Sequence, residues 1–180
     1  MIADHKPHAP ATERNREPIA EVLARVFADR RQVLEIGSGT GQHAVYFAER
    51  LAHLRWQCSD RAEYLPGIGL WVAHAGLANT PPALLLDVNG AWPQQRFDAV
   101  FSANTLHIMS WPEVEKMFAG IGEILEPGGK LVIYGPFNDA GVYSSESNRD
   151  FDLALKADAP HRGIRDVSAV DALALQAGLL

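Results

Sequence analysis

Nine residues constrain this chain more than any others: Val33 to Gly41, Val-Leu-Glu-Ile-Gly-Ser-Gly-Thr-Gly. An apolar, β-branched run carries one acid and ends in glycines at every second position, 37, 39 and 41. A strand that leaves a parallel sheet and turns sharply into a helix needs such glycines, for their dihedrals and for the room they leave a ligand against bare backbone. The spacing excludes two common nucleotide turns. The dinucleotide fingerprint needs a glycine where this chain has Gln42, and the P-loop signature is absent.

The rest of the chain reads as strands alternating with helices. Asn15 to Asp29 predicts a helix, with Ile19, Val22, Leu23, Val26 and Phe27 on one face, Asn15 as cap and Pro18 in the first turn. Strands are expected at Gln32–Gly37, Arg55–Asp60, Ala83–Val88, Phe97–Asn104 and Lys130–Gly135. Helices are expected between them, at Gln42–His53, Pro66–Leu77 and after the capping box Ser110-x-x-Glu113. That last helix offers Val114, Met117, Phe118, Ile121, Ile124 and Leu125 to a core, before a turn at Pro127-Gly128-Gly129.

Apolar strands separated by helices imply an α/β, doubly wound parallel sheet covered on both faces. Right-handed crossovers place the fourth strand beside the first, in the order 3-2-1-4-5, and open a crevice at their carboxyl ends. At 180 residues the chain suits one domain, made of an arm and helix (1–30), a core (31–136), a stretch at 137–166 and a last helix (167–180). Residues Phe137 to Asp166 are polar and without clear periodicity, which predicts a long lid or substrate loop. The final helix, Ser168 to Ala177 with Gly178 as its stop, leaves only Leu179-Leu180, where a further strand would begin.

Charge and composition narrow the partners. Acids number 22 against 16 Lys and Arg, giving a net charge of -6 with no basic cluster, so no nucleic-acid partner is expected. No apolar run approaches the roughly 20 residues of a membrane span. Cys58 is the one cysteine, and the polar start lacks the apolar core of a signal peptide, so the expected location is cytoplasmic. The seven histidines fall into none of the common metal-ligand spacings, and no metal is expected.

From Val33 to Gly135 the order of motifs resembles the class I methyltransferases that use S-adenosylmethionine: the acid-x-G-x-G-x-G turn, acids ending strands two and three, Asn104 ending strand four, and Leu125-Glu-Pro-Gly-Gly129 before strand five. Arg14-Asn15 with Pro18, Ser59-Asp60, Ser147-Asn148-x-x-Phe151-Asp152 and Gly163-Ile164-Arg165-Asp166 further resemble a methyltransferase-like family catalogued as a domain of unknown function. The chain departs from the class I pattern at its end, where the usual last two strands find no residues. The exposed edge of strand five would then need covering, by a second copy of the chain or by the polar stretch.

The resemblance implies a set of roles. Gly37, Ser38, Gly39 and Gly41 would lie against adenosylmethionine, and adenosylhomocysteine would be the product. Asp60, roughly 20 residues beyond the glycines, would accept from the ribose hydroxyls. Asp87 would accept from the adenine amino group beside the Val88 N–H, or cap its own turn. Glu35 would face the ammonium end of the methionine moiety with the Asn104 carbonyl, or bond to backbone N–H groups. Asn104-Thr-Leu-His107 lacks the Asn/Asp-Pro-Pro-aromatic motif of nucleobase N-methylation, and Leu106-His107-Ile108 resembles small-molecule methyltransferases. His107 is therefore the candidate catalytic base, or a packed histidine. Asn15, Tyr134, Asn138, Tyr143, Asn148 and Arg165, with Asp152 and Asp166, are the acceptor-binding candidates; those beyond Asn15 could equally make loop-stabilising hydrogen bonds, and Asn15 could cap the cofactor or anchor its own helix. The expected function is methyl transfer to a small molecule; the alternative is a non-catalytic adenosyl-ligand binder acting through protein contacts.

Overall fold

The computed structural model describes residues 5–179. The chain divides into two compact units. The first runs to Ser102 and takes in Leu125–Val132; the second comprises Ala103–Ile124 and the chain from Ile133 onward.

The main sheet contains β1 (Gln32–Ile36), β2 (Arg55–Asp60), β3 (Leu84–Leu85), β4 (Phe97–Ala103) and β5 (Leu125–Tyr134) in the order β3-β2-β1-β4-β5. This is the order the sequence predicts. β1 pairs parallel with both β2 and β4, so Glu35 lies opposite Cys58 on one side and Phe101 on the other. Paired residues of a parallel ladder share a face. Val33, Glu35, Trp56, Cys58 and Phe101 therefore look the same way, and all are buried. Phe47 of α2 (Gln42–Arg50) covers them, its ring 5.4 Å from those of both Trp56 and Phe101.

Several boundaries differ from expectation, and α2 ends at Arg50 rather than His53. The first helix, α1, spans Pro10–Val26, so Asn15 is not its cap. Pro10 supplies the favourable first-turn start, while Pro18 lies inside the helix, where it lacks a backbone N–H to donate. β3 is shorter than predicted because Asp87 turns the chain: its carboxylate accepts from Asn89 N–H and its carbonyl from Gly90 N–H, both at 2.8 Å. β5 begins directly after α4 (Trp111–Ile124) and carries Pro127-Gly128-Gly129 within it. Gly129 folds so closely over Leu125 that a Cβ would stand 2.7 Å from the leucine side chain. α3 (Leu65–Ala75) ends on Gly76 at φ 60°.

The second unit corrects the long loop. Residues 137–166 form β6 (Phe137–Asp139), β7 (Val142–Tyr143), α5 (Glu146–Asp158) and β8 (Arg165–Asp166), with a three-stranded sheet in the order β7-β6-β8. Ala140 and Gly141, both at positive φ, make the two-residue turn between β6 and β7, as a type I′ hairpin requires. Ser145 caps α5 by accepting from Asn148 N–H, and Asp166 caps α6 (Val167–Gln176) by accepting from Ser168 N–H. Among the described residues β3 and β5 are the edges of the main sheet, and no helix is long and apolar enough to cross a membrane.

Candidate cofactor turn and the His107 perch

The glycine turn is held from beneath and open above. Gly37, Gly39 and Gly41 all have positive φ, between 57° and 87°. At Gly41, the cap of α2, a Cβ would press to 3.1 Å from the Ile68 backbone. At Gly39 no heavy atom lies within 4 Å of where a Cβ would stand. Residues 37 and 38 donate their N–H groups to the Ser59 carbonyl, and Gly39 N–H donates to Asp60 Oδ2 at 2.7 Å. The other carboxylate oxygen of Asp60 accepts from Arg61 N–H at 2.8 Å. A carboxylate oxygen accepts two hydrogen bonds, so each keeps room for one more. Burial pushes the Asp60 carboxyl up, against the opposing effect of the Gly39 and Arg61 N–H groups.

Glu35 braces this turn. Its Oε2 accepts from Ser38 Oγ at 2.9 Å and from Trp56 Nε1 at 3.0 Å. Ser38 Oγ in turn accepts from Ser59 N–H. Burial raises the Glu35 carboxyl to about 7 despite these donors. The Glu35 side chain thus bonds to side-chain donors, a partner that neither sequence reading named. Trp56 escaped notice because it meets Glu35 only through the β1–β2 register, which no local pattern encodes. Asp87 makes the turn-capping bond of its second reading, and Val88 next to it is buried.

Residues 7–9 of the arm reach the same region. Ala9 N–H donates to Gln42 Oε1, Trp71 Nε1 donates to the Pro7 carbonyl at 2.8 Å, and Pro7 lies so close to Gly67 that a Cβ there would stand 2.7 Å from it. Asn15 is buried, its Oδ1 accepting from His43 Nε2 at 2.7 Å, so its side chain ties α1 to α2.

In the second unit, Asn104 follows β4 at φ 57° and donates its N–H to the Tyr134 carbonyl. Three residues on, His107 is buried with its ring 5.3 Å from that of Phe151, edge to face. Burial, then the charges of Arg165 and Arg162, push its imidazole down to about 4. Its carbonyl accepts from Gly163 N–H. Arg165 donates to the carbonyls of Leu106, Met109 and His161. Asp152 is fully buried and accepts from Ile164 N–H at 2.7 Å, from the Tyr143 hydroxyl at 2.6 Å and from Lys156. Asn148 Nδ2 donates to Ser144 Oγ at the start of α5. Asp166, besides capping α6, accepts from Gly141 N–H. These bonds fold the second unit. Of the remaining acceptor candidates, Tyr134 is exposed and Asn138 has a buried Oδ1 with no hydrogen-bond partner.

A family model described as "Protein of unknown function (DUF938)" matches residues 6–180. The chain belongs to that family. Among solved structures, the DUF938 chain is similar to an O-methyltransferase family protein from Burkholderia thailandensis, with a TM-score of 0.82 and 19% identity over 94% of this chain and 52% of the other. A putative O-methyltransferase from Nostoc punctiforme gives 0.81 and 17% over 94% and 51%. PigF, solved with SAH, gives 0.78 and 16% over 90% and 49%. The DUF938 chain thus has the class I methyltransferase fold and spans about half the length of these neighbours.

Proposed function

We propose that this protein binds S-adenosylmethionine at the glycine turn and transfers its methyl group to a small-molecule acceptor. One observation carries the reading: the carboxylate expected to meet a ribose is joined to the N–H of a turn glycine whose outer face is open, Asp60 to Gly39 at 2.7 Å. A diol and bare backbone are recognised together at such a point, because two acceptor oxygens stand beside a turn with no side chain to hold a ligand off. Gly37, Ser38 and Gly41 shape the turn, Glu35 holds it through Ser38, and Asp87, Val88 and Asn104 are assigned to the adenine and methionine ends as the family resemblance implies.

Bound there, adenosylmethionine would supply an electrophilic methyl group, to which an acceptor lone pair would bond in line as the methyl–sulfur bond breaks, its electron pair staying on sulfur to leave adenosylhomocysteine. His107 is assigned to the acceptor's proton. Held uncharged at neutral pH by its burial, it takes the O–H or N–H proton that the acceptor loses on methylation. The neighbours named as O-methyltransferases support a hydroxyl acceptor. Dimerisation along the β5 edge belongs to the same proposal, and a native mass equal to that of one chain would remove it.

Thermal shift with adenosylmethionine, adenosylhomocysteine and NADH side by side tests the reading. At about 100 times its dissociation constant the specific ligand adds roughly 2.7 kcal/mol of stability. Stabilisation by both adenosyl ligands and not by NADH is expected. A folded sample that answers to neither adenosyl ligand overturns the proposal.

A further inference from the structure

The motifs around Phe151-Asp152 and Gly163-Ile164-Arg165 converge on one short stretch of chain, residues 106–109. Gly163 donates to the His107 carbonyl, and Arg165 reaches past it to the carbonyls on either side, Leu106 and Met109, while a third bond ties the same guanidinium to His161. The guanidinium also lies over the Trp111 ring at the start of α4, 5.8 Å from its centroid. Every part of this grip is itself fixed. Ile164 N–H is bound by the buried Asp152, and Gly163 leaves little room for a side chain, since a Cβ would stand 3.0 Å from Asp152 Oδ1 and from Lys156 Cε. Phe151, next to Asp152, supplies the ring against which His107 rests.

We propose that Arg165 is a positioning residue for His107: by holding the backbone on both sides of it, Arg165 fixes where the imidazole meets an acceptor's O–H or N–H. A planar guanidinium with five N–H donors can span separate carbonyls in this way, whereas an ammonium cannot hold the same spread geometry. The assignment gives Arg165 a backbone-holding role in place of an acceptor-binding one, because its Nε and Nη2 donors are committed to backbone carbonyls. The same cation has a second consequence. Together with burial and with Arg162, its charge disfavours protonation of the imidazole, so His107 stays an empty proton acceptor at neutral pH. The inference deepens the proposed methyl transfer and rests on His107 having a part in it.

The test reads His107 directly and needs neither cofactor nor acceptor. The imidazole Cε1–H resonances of 13C-histidine-labelled protein are followed by NMR, the His107 signal being identified by its loss in His107→Gln. In the wild type the signal should stay flat from about pH 8 to about pH 5.5. In Arg165→Gln its midpoint should rise by about one pH unit or more, and amide exchange at residues 106–109 should quicken about tenfold or more. Arg165→Lys keeps a charge and loses the span, so exchange should quicken while the midpoint stays low. A folded Arg165→Gln protein with titration and exchange unchanged overturns the proposal. Where Arg165→Gln fails to fold, Arg165→Lys decides: protection retained at 106–109 overturns it, protection lost supports it. Failure here leaves adenosylmethionine binding intact, and failure to bind adenosylmethionine leaves the His107 titration readable, so the two proposals fall separately.

Discussion

The indole N–H of Trp56 donates to Glu35 across 3.0 Å within an apolar face of the main sheet. An acid in that place costs little while it is protonated and more once it is charged. Its folded value of about 7 lies above the ordinary carboxylate value, so the folded state holds a proton that the unfolded chain releases. The stability linked to Glu35 is full below about pH 4.5 and is lost as pH rises through about 7, a difference on the order of 3 kcal/mol. Glu35→Gln keeps an oxygen for Trp56 and Ser38 and removes the titration. Urea unfolding of both proteins near pH 5 and near pH 8 should show the wild type losing ground to the variant as pH rises. Parallel pH curves would refute this account of Glu35.

Asp60→Ala should act on stability and ligand together. It leaves the N–H groups of Gly39 and Arg61 without their acceptor and removes the proposed ribose contacts. Each bond to a charged acceptor is worth about 1.5 to 3 kcal/mol, so adenosylmethionine binding should weaken at least about tenfold. Calorimetric titration of the folded variant measures it. An affinity within about twofold of wild type would take Asp60 out of the site.

The glycines separate turn geometry from ligand space. Gly41→Ala meets the Ile68 backbone at 3.1 Å and a φ of 87°, and should destabilise the protein by about 1–3 kcal/mol in thermal unfolding. Gly39→Ala meets nothing but its own φ of 57°, so it should cost less stability while weakening adenosyl-ligand binding, the methyl group filling the space left for the ligand. Gly39→Ala with undiminished affinity would place the ligand elsewhere.

What was legible in the sequence follows from how local each signal is. The glycine turn, β2 and the α4 face depend on neighbouring residues, so pattern alone locates them. The second sheet depends on pairings such as Phe137 with Arg165 between strands of two or three residues, too short to show a period of two. Its polar side chains therefore resembled a loop of acceptor ligands, when Tyr143, Asp152, Asn148 and Arg165 bond mainly to the protein itself. Asn15 had the chemistry of a cap, but Pro10 starts the helix earlier and His43, distant in sequence, takes the side chain.

Asp152 offers the sharpest test of that second sheet. Burial pushes its carboxyl up, but Lys156, the Tyr143 hydroxyl and Ile164 N–H outweigh burial and hold it below its usual value. The stability it contributes is present above the ordinary carboxylate range and is lost as pH falls through its lower folded value. Asp152→Ala would strand a buried N–H and a phenol at once, so a loss of about 2–4 kcal/mol near neutral pH is expected. Because Ile164 sits between Gly163 and Arg165, the loss should appear first as faster amide exchange at residues 106–109. Asp152→Asn keeps an acceptor for Ile164 and should restore part of that protection. Equal exchange at 106–109 in wild type and Asp152→Ala would show that the stretch carrying His107 is held without the α5 anchor.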